Sequence, residues 1–130
     1  MELITVLVGS AAGGMARFWL ADAVAHRYGE RFPWGTLVVN ASGALAAGIC
    51  AALLSNSQPD DAASLAWRLG IVGFLGSYTT VSSFSLQTLA LAHDRAWGRA
   101  AGNIALSLGL CLGAVGLGWW LGAGIAGTLP

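Results

Sequence analysis

Apolar residues gather in four long stretches of this chain, at 3–25, 34–54, 67–92 and 101–123, and polar residues collect in the short pieces between them. No stretch alternates in-and-out or keeps a sustained polar face, so each reads as a helix that is apolar nearly all round. A hydrocarbon core of ~30 Å takes roughly 20 helical residues at ~1.5 Å each, and every stretch reaches that length. The connectors HRYGERFP, SNSQPDDAAS and HDRAWGR hold most of the charge and are turns, not linkers. The pattern predicts an all-α integral membrane protein with four transmembrane helices, residues 1–130 forming a single domain.

Composition strengthens this reading. Hydrophobic residues make up 56% of the chain and charged residues 9%, where a soluble domain carries about a quarter charged. There is no lysine, and the arginines balance the acids to a net charge of zero, which leaves no basic surface for nucleic acid. The opening MELITVLVGSAAGG has the apolar character of a signal peptide, but Glu2 stands where a positive charge belongs and the run continues to Leu20, so it is expected to stay as the first span. Arg17, Arg27, Arg31, Arg95 and Arg99 fall toward the first and third connectors, against Arg68 on the other side, which predicts that those two connectors face the cytoplasm.

Candidate chemistry is sparse. Cys50 and Cys111 lie inside spans without CxxC spacing, as small buried hydrophobes would. No Ser/His/Asp set, metal cluster or phosphate loop stands out, so the chain is expected not to be an enzyme. What remains is a set of polar groups at membrane depth, where they are expensive. Asn40, about two turns into the second span, admits two readings: an interhelical hydrogen bond that glues the bundle, or a donor lining a pore. Arg17 either snorkels to headgroups or draws anions to a vestibule. Asn103, Ser107 and Cys111 recur every four residues on one face of the last span, near a Gly109/Gly113 pair that helix packing alone would explain, as it would Gly9/Gly13.

The third stretch raises the sharpest question. GFLGSYTTVSSF, at 73–84, crowds two glycines and five hydroxyl-bearing Ser and Thr residues into what should be a lipid-spanning helix. Such a run can interrupt a helix, with Gly76 expected to adopt backbone angles that other residues resist, and irregular backbone survives at depth only when buried in protein or lining a cavity. Freed carbonyls could hold a cation, and hydroxyls and amides an anion. The alternative is a softened kink packed on a neighbour. Phe84 adds a ring whose positive edge an anion can meet.

Three segments together, GGMAR at 13–17, PWGTLVVNASG at 33–43 and GFLGSYTTVSSFSLQT at 73–88, resemble the signature segments of the Fluc/CrcB fluoride ion channels. The resemblance implies four transmembrane helices with the third broken near its middle, in an antiparallel double-barrelled dimer with a structural Na+ at its centre. It implies a passive, fluoride-selective channel in the bacterial inner membrane, embedded in lipid and exporting fluoride from the cytoplasm. Matched by motif, the carbonyls of Gly76 and Thr79 would hold sodium, and Asn40, Thr36, Phe84, Thr80, Ser83, Ser107 and Cys111 would line the fluoride pore, with Arg17 in the vestibule. Val81 stands where the family usually has a first phenylalanine, Cys111 where serine is common, and Gln87 where glutamate is expected. A homodimer is the expected assembly, and a heterodimer with a paired subunit the alternative. The competing functions are a small four-helix multidrug or cation transporter, which would want a carboxylate at depth that no span offers, and a noncatalytic membrane assembly subunit.

Overall fold

The computed structural model describes residues 2–54 and 65–127, and nearly all of them are helical. Helix α1 covers Glu2–Tyr28 and α2 covers Trp34–Leu54. Helix α3, Trp67–Leu75, is wound with the wider π spacing and runs into a single α-helical turn at Gly76–Tyr78. Helix α4 covers Val81–His93 and α5 covers Trp97–Ile125. Among the described residues, four segments are long and apolar enough to cross a membrane: Leu3–Tyr28, Trp34–Leu54, Trp67–His93 and Trp97–Ile125. No strand occurs among the described residues.

The second and third spans begin where the hydropathy pattern places them, whereas α1 runs past residue 25 to Tyr28 and α5 starts at Trp97, ahead of residue 101. The physical reason is that apolarity stops where the hydrocarbon stops, while backbone hydrogen bonding carries on through polar residues until a terminator intervenes. For α1 that terminator is Gly29, at φ 80 and with its N–H on the Ala25 carbonyl at 2.8 Å, a left-handed closing position at which glycine carries no Cβ penalty. Pro33 precedes α2, and its carbonyl accepts the Leu37 amide at 3.2 Å.

Burial is inverted relative to a soluble bundle. The buried apolar residues are few and mostly small or branched, namely Leu37, Val39, Ala52, Leu75, Ala100 and Ala123, while Phe18 (76%) and Trp19 (71%) are largely exposed. Lipid tails are as apolar as leucine, so helices associate through close van der Waals packing and small residues. Glycines do this work in two pairs of helices. Gly48, Gly118 and Gly122 bring α2 and α5 together against the backbones of Val115, Leu45 and Ile49. Gly9, Gly13 and Gly73 bring α1 onto α3, where Ser10 Oγ also donates to the Gly73 carbonyl at 3.4 Å. Gly35 against Ala21 joins the pairs.

The two GxxxG pairs read from the sequence therefore part ways. Gly9 and Gly13 sit against the α3 backbone, whereas Gly109 and Gly113 meet no atom within 4 Å. Gly13→Val should accordingly cost about 1–3 kcal/mol through overpacking against the Phe74 carbonyl, and Gly109→Ala should leave thermal stability in detergent unchanged or slightly raised. Equal melting temperatures for wild type and Gly13→Val would refute the assignment.

Candidate functional site

Two extended residues, Thr79 (φ −78, ψ 155) and Thr80 (φ −150, ψ 124), separate the turn ending at Tyr78 from α4. Extended backbone in the middle of a span strips helical partners from the groups on either side, and at membrane depth each unpaired group costs several kcal/mol. Helix α2 supplies the replacement. Asn40 Nδ2 donates to the Thr80 carbonyl at 2.8 Å, and the Thr80 N–H donates to Asn40 Oδ1 at 2.7 Å. One side-chain amide thus satisfies both backbone groups of Thr80, as a second strand would. The gluing role considered for Asn40 is present, and because its amide carries a second N–H the donor role is compatible with it.

The face of α2 that does this is Thr36, Asn40 and Gly43, spaced one turn apart. Gly43 leaves room for the Thr79 methyl and the Tyr78 ring, which would collide with any side chain there. Tyr78 is held by stacking on Phe74, with ring centroids 5.7 Å apart, and by its hydroxyl, which shares a 2.8 Å hydrogen bond with Ser42 Oγ. Past the extended pair, Thr80 caps α4: its Oγ1 accepts the Ser83 amide at 3.2 Å and lies 3.1 Å from Ser82 Oγ and 3.3 Å from Ser83 Oγ. Thr80 is buried and Ser83 and Phe84 are half-buried, so the hydroxyls form one cluster at the start of α4.

The carbonyls just before the break lose their usual helical donors in this arrangement, those of Gly76 and Thr79 among them. In a continuous α-helix the Gly76 carbonyl would accept from the Thr80 amide and the Thr79 carbonyl from the Ser83 amide. Here the Thr80 amide goes to Asn40 and the Ser83 amide to the Thr80 hydroxyl. Neutral backbone carbonyl oxygens are the donor type that a hard cation such as sodium takes, so the carbonyls of Gly76 and Thr79, whose usual donors are turned elsewhere, fit such an ion. Gly76 itself corrects an expectation. Its φ of −62 and ψ of −31 are ordinary right-handed helical values, and a Cβ there would meet nothing nearer than the Ile71 carbonyl at 3.7 Å. Glycine is not required at 76 by backbone strain, and the residue is exposed on the surface of the single chain.

A cavity of about 570 Å³ opens at the end of the bundle that carries the first and third connectors. Thr36 and Gln87 line its inner part, and Arg31, Arg99, Asp22, Glu30 and Asp94 bring charge to it. Thr36 is one turn from Asn40 on the same helix face, so the cavity leads toward the Thr80 clamp. Arg17 is half-buried and does not line the cavity, although its neighbour Phe18 does. Ser107 and Cys111 are half-buried on α5, and no hydrogen bond joins either to the Asn40–Thr80 group among the described residues.

The motif gave several residues near the site no role. Arg31 and Arg99 counted there only toward orientation, yet both reach the cavity. Gln87 Oε1 is buried without a hydrogen-bond partner among the described atoms. Asn103, 2% exposed, donates to Thr88 Oγ1 at 2.9 Å and ties α5 to α4. Polarity at depth signalled Gln87 and Asn103, but Thr88 carried no such signal because a lone threonine in a helix commonly bonds its own backbone.

The CrcB-like protein, Camphor Resistance (CrcB) family matches residues 4–119. A protein of Bradyrhizobium diazoefficiens named fluoride-specific ion channel FluC 2 is 49% identical, the match covering 96% of this chain and 91% of that one. One of the same name from Rhodopseudomonas palustris is 54% identical over 90% of this chain and 89% of its own. A fluoride-specific ion channel FluC of Opitutus terrae is 48% identical over 87% and 86%. With the family match running from the first span into the last, and with four segments long and apolar enough to span a membrane, this chain belongs to the CrcB family.

Proposed function

We propose that the protein is a passive channel for fluoride, working as a dimer with a structural sodium ion, and that it is not an enzyme. The observation that carries this is the Asn40–Thr80 clamp, which holds two extended residues at membrane depth beside a cluster of hydroxyls. The names of the relatives supply the ion. Fluoride is small and tightly hydrated, so a pore must offer donors in place of water while remaining too narrow for larger halides. The groups proposed for this are Asn40, Thr36, Thr80, Ser83, Ser107 and Cys111, with the edge of the Phe84 ring and with Arg17 in the vestibule. The charged cavity leading to Thr36 supports an entry route at that end. With the arginine-rich connectors in the cytoplasm, a potential negative inside drives the anion outward by about 2.3 kcal/mol per 100 mV. No span carries a carboxylate at its middle, which weighs against the proton-coupled transporter.

Sodium belongs to the same reading. The carbonyls of Gly76 and Thr79, deprived of their helical donors, are the groups that would hold it, and the exposure of Gly76 supports a site shared with an antiparallel second copy or a paired subunit. When bound, the ion supplies a fixed positive charge at the dimer centre. Gly76→Ala fits within the single chain, so its helices should stay folded while the dimer elutes as monomer or loses its sodium dependence, read by size-exclusion chromatography with and without sodium. An unchanged, sodium-dependent dimer would remove the ion from this position. The function itself is tested in liposomes loaded with fluoride, which should empty down the gradient without ATP or a proton gradient. Equal fluxes of chloride and fluoride would refute it.

A further inference from the structure

Helix α4 is thinly held by its own chain. Val81, Leu86 and Leu89 are 77%, 69% and 65% exposed, and none of its residues is buried. Among the described residues, a hydrogen-bonded chain ties its middle to α5. Asn103, almost fully buried on α5, donates through Nδ2 to Thr88 Oγ1 at 2.9 Å, and Thr88 Oγ1 donates to the carbonyl of Phe84 at 2.7 Å. The Thr88 hydroxyl has a single hydrogen, which goes to Phe84, and uses a lone pair for Asn103, so both of its roles are filled. The Phe84 carbonyl lies one turn before Thr88 on the helix, so the bond from Asn103 reaches the backbone of residue 84 through the Thr88 hydroxyl.

We propose that Thr88 and Asn103 are positioning residues for conduction: the Asn103–Thr88–Phe84 relay fixes the Phe84 ring relative to α5. This rests on the reading that fluoride passes Phe84. Thr88 touches no ion in this account and acts only through the residue one turn earlier. Valine has the shape of threonine without the hydroxyl, so Thr88→Val cuts both bonds and strands the buried Asn103 amide, whereas Thr88→Ser keeps them. Asn103→Leu removes the same relay from the other end.

The test is fluoride efflux from liposomes, together with fluorine NMR of the intact protein carrying 4-fluorophenylalanine at position 84 or, as a control, at position 18 on α1, away from the relay. Thr88→Val and Asn103→Leu should each lower maximal efflux roughly three- to tenfold, the fold-change expected for a membrane hydrogen bond of ordinary worth, and the double variant should be no slower than either single one. Thr88→Ser should stay within about twofold of wild type. The resonance at 84 should shift or broaden in Thr88→Val and not in Thr88→Ser, and that at 18 should stay in place. Wild-type flux in Thr88→Val, additive losses in the double variant, an unmoved resonance at 84, or a Thr88→Val protein that no longer assembles would each overturn the positioning role. A wild-type protein that carries no fluoride would instead refute the channel reading, and the resonance at 84 would still decide whether the relay holds the ring.

Discussion

Asn40→Asp is expected to lower fluoride efflux by about a hundredfold or more, the equivalent of roughly 3 kcal/mol. An aspartate can still accept the Thr80 amide, but it has no hydrogen to give to the Thr80 carbonyl, which Asn40 Nδ2 now meets at 2.8 Å. Its second oxygen would face that carbonyl, acceptor against acceptor. If ionised, it also places a negative charge on the proposed path of an anion. Both effects act at one point, where the extended pair is joined to α2. Liposome efflux, with size-exclusion chromatography to follow assembly, measures the outcome. A dimer that conducts at the wild-type rate would show that neither the clamp nor the amide donor matters to flux.

Phe84→Ile is expected to slow efflux roughly tenfold, and Val81→Phe to preserve or raise it. The resemblance implies a second ring at the position of Val81, so within TTVSSF Phe84 is left to present the only ring edge. Aromatic polar contacts are worth of order 1 kcal/mol, enough to reshape conduction without closing a pore. Val81 is 77% exposed on the single chain, so a larger ring at that position clashes with nothing in its own protomer. Full activity in Phe84→Ile, or an assembled but silent Val81→Phe, would contradict the account. A wild-type chain that is silent until a paired subunit is supplied would assign the missing ring to that subunit.

The number of spans and the bounds of the second, Trp34–Leu54, were legible in hydropathy alone, because the bilayer imposes one length on any helix that crosses it. The family was legible too, since three separated segments had to agree. Helix outlasts apolarity at the end of α1 and the start of α5, and Gly76, where glycine suggested strained angles, was misread, because the backbone there is plainly helical.

The sequence by itself determined that Asn40, Asn103 and the hydroxyls of 77–85 stand at membrane depth, and that something must satisfy them, because hydrocarbon offers no partner. Only the tertiary structure decided which partner each receives. Asn40 meets the Thr80 backbone and Asn103 meets Thr88, while Gly9 and Gly13 are packed and Gly109 and Gly113 are left open. Those pairings depend on the rotation and depth of one helix against another. Helices that are apolar on nearly every side carry no hydrophobic stripe to set that rotation, so it is settled by close contact of small residues and by a few hydrogen bonds between positions far apart in the chain.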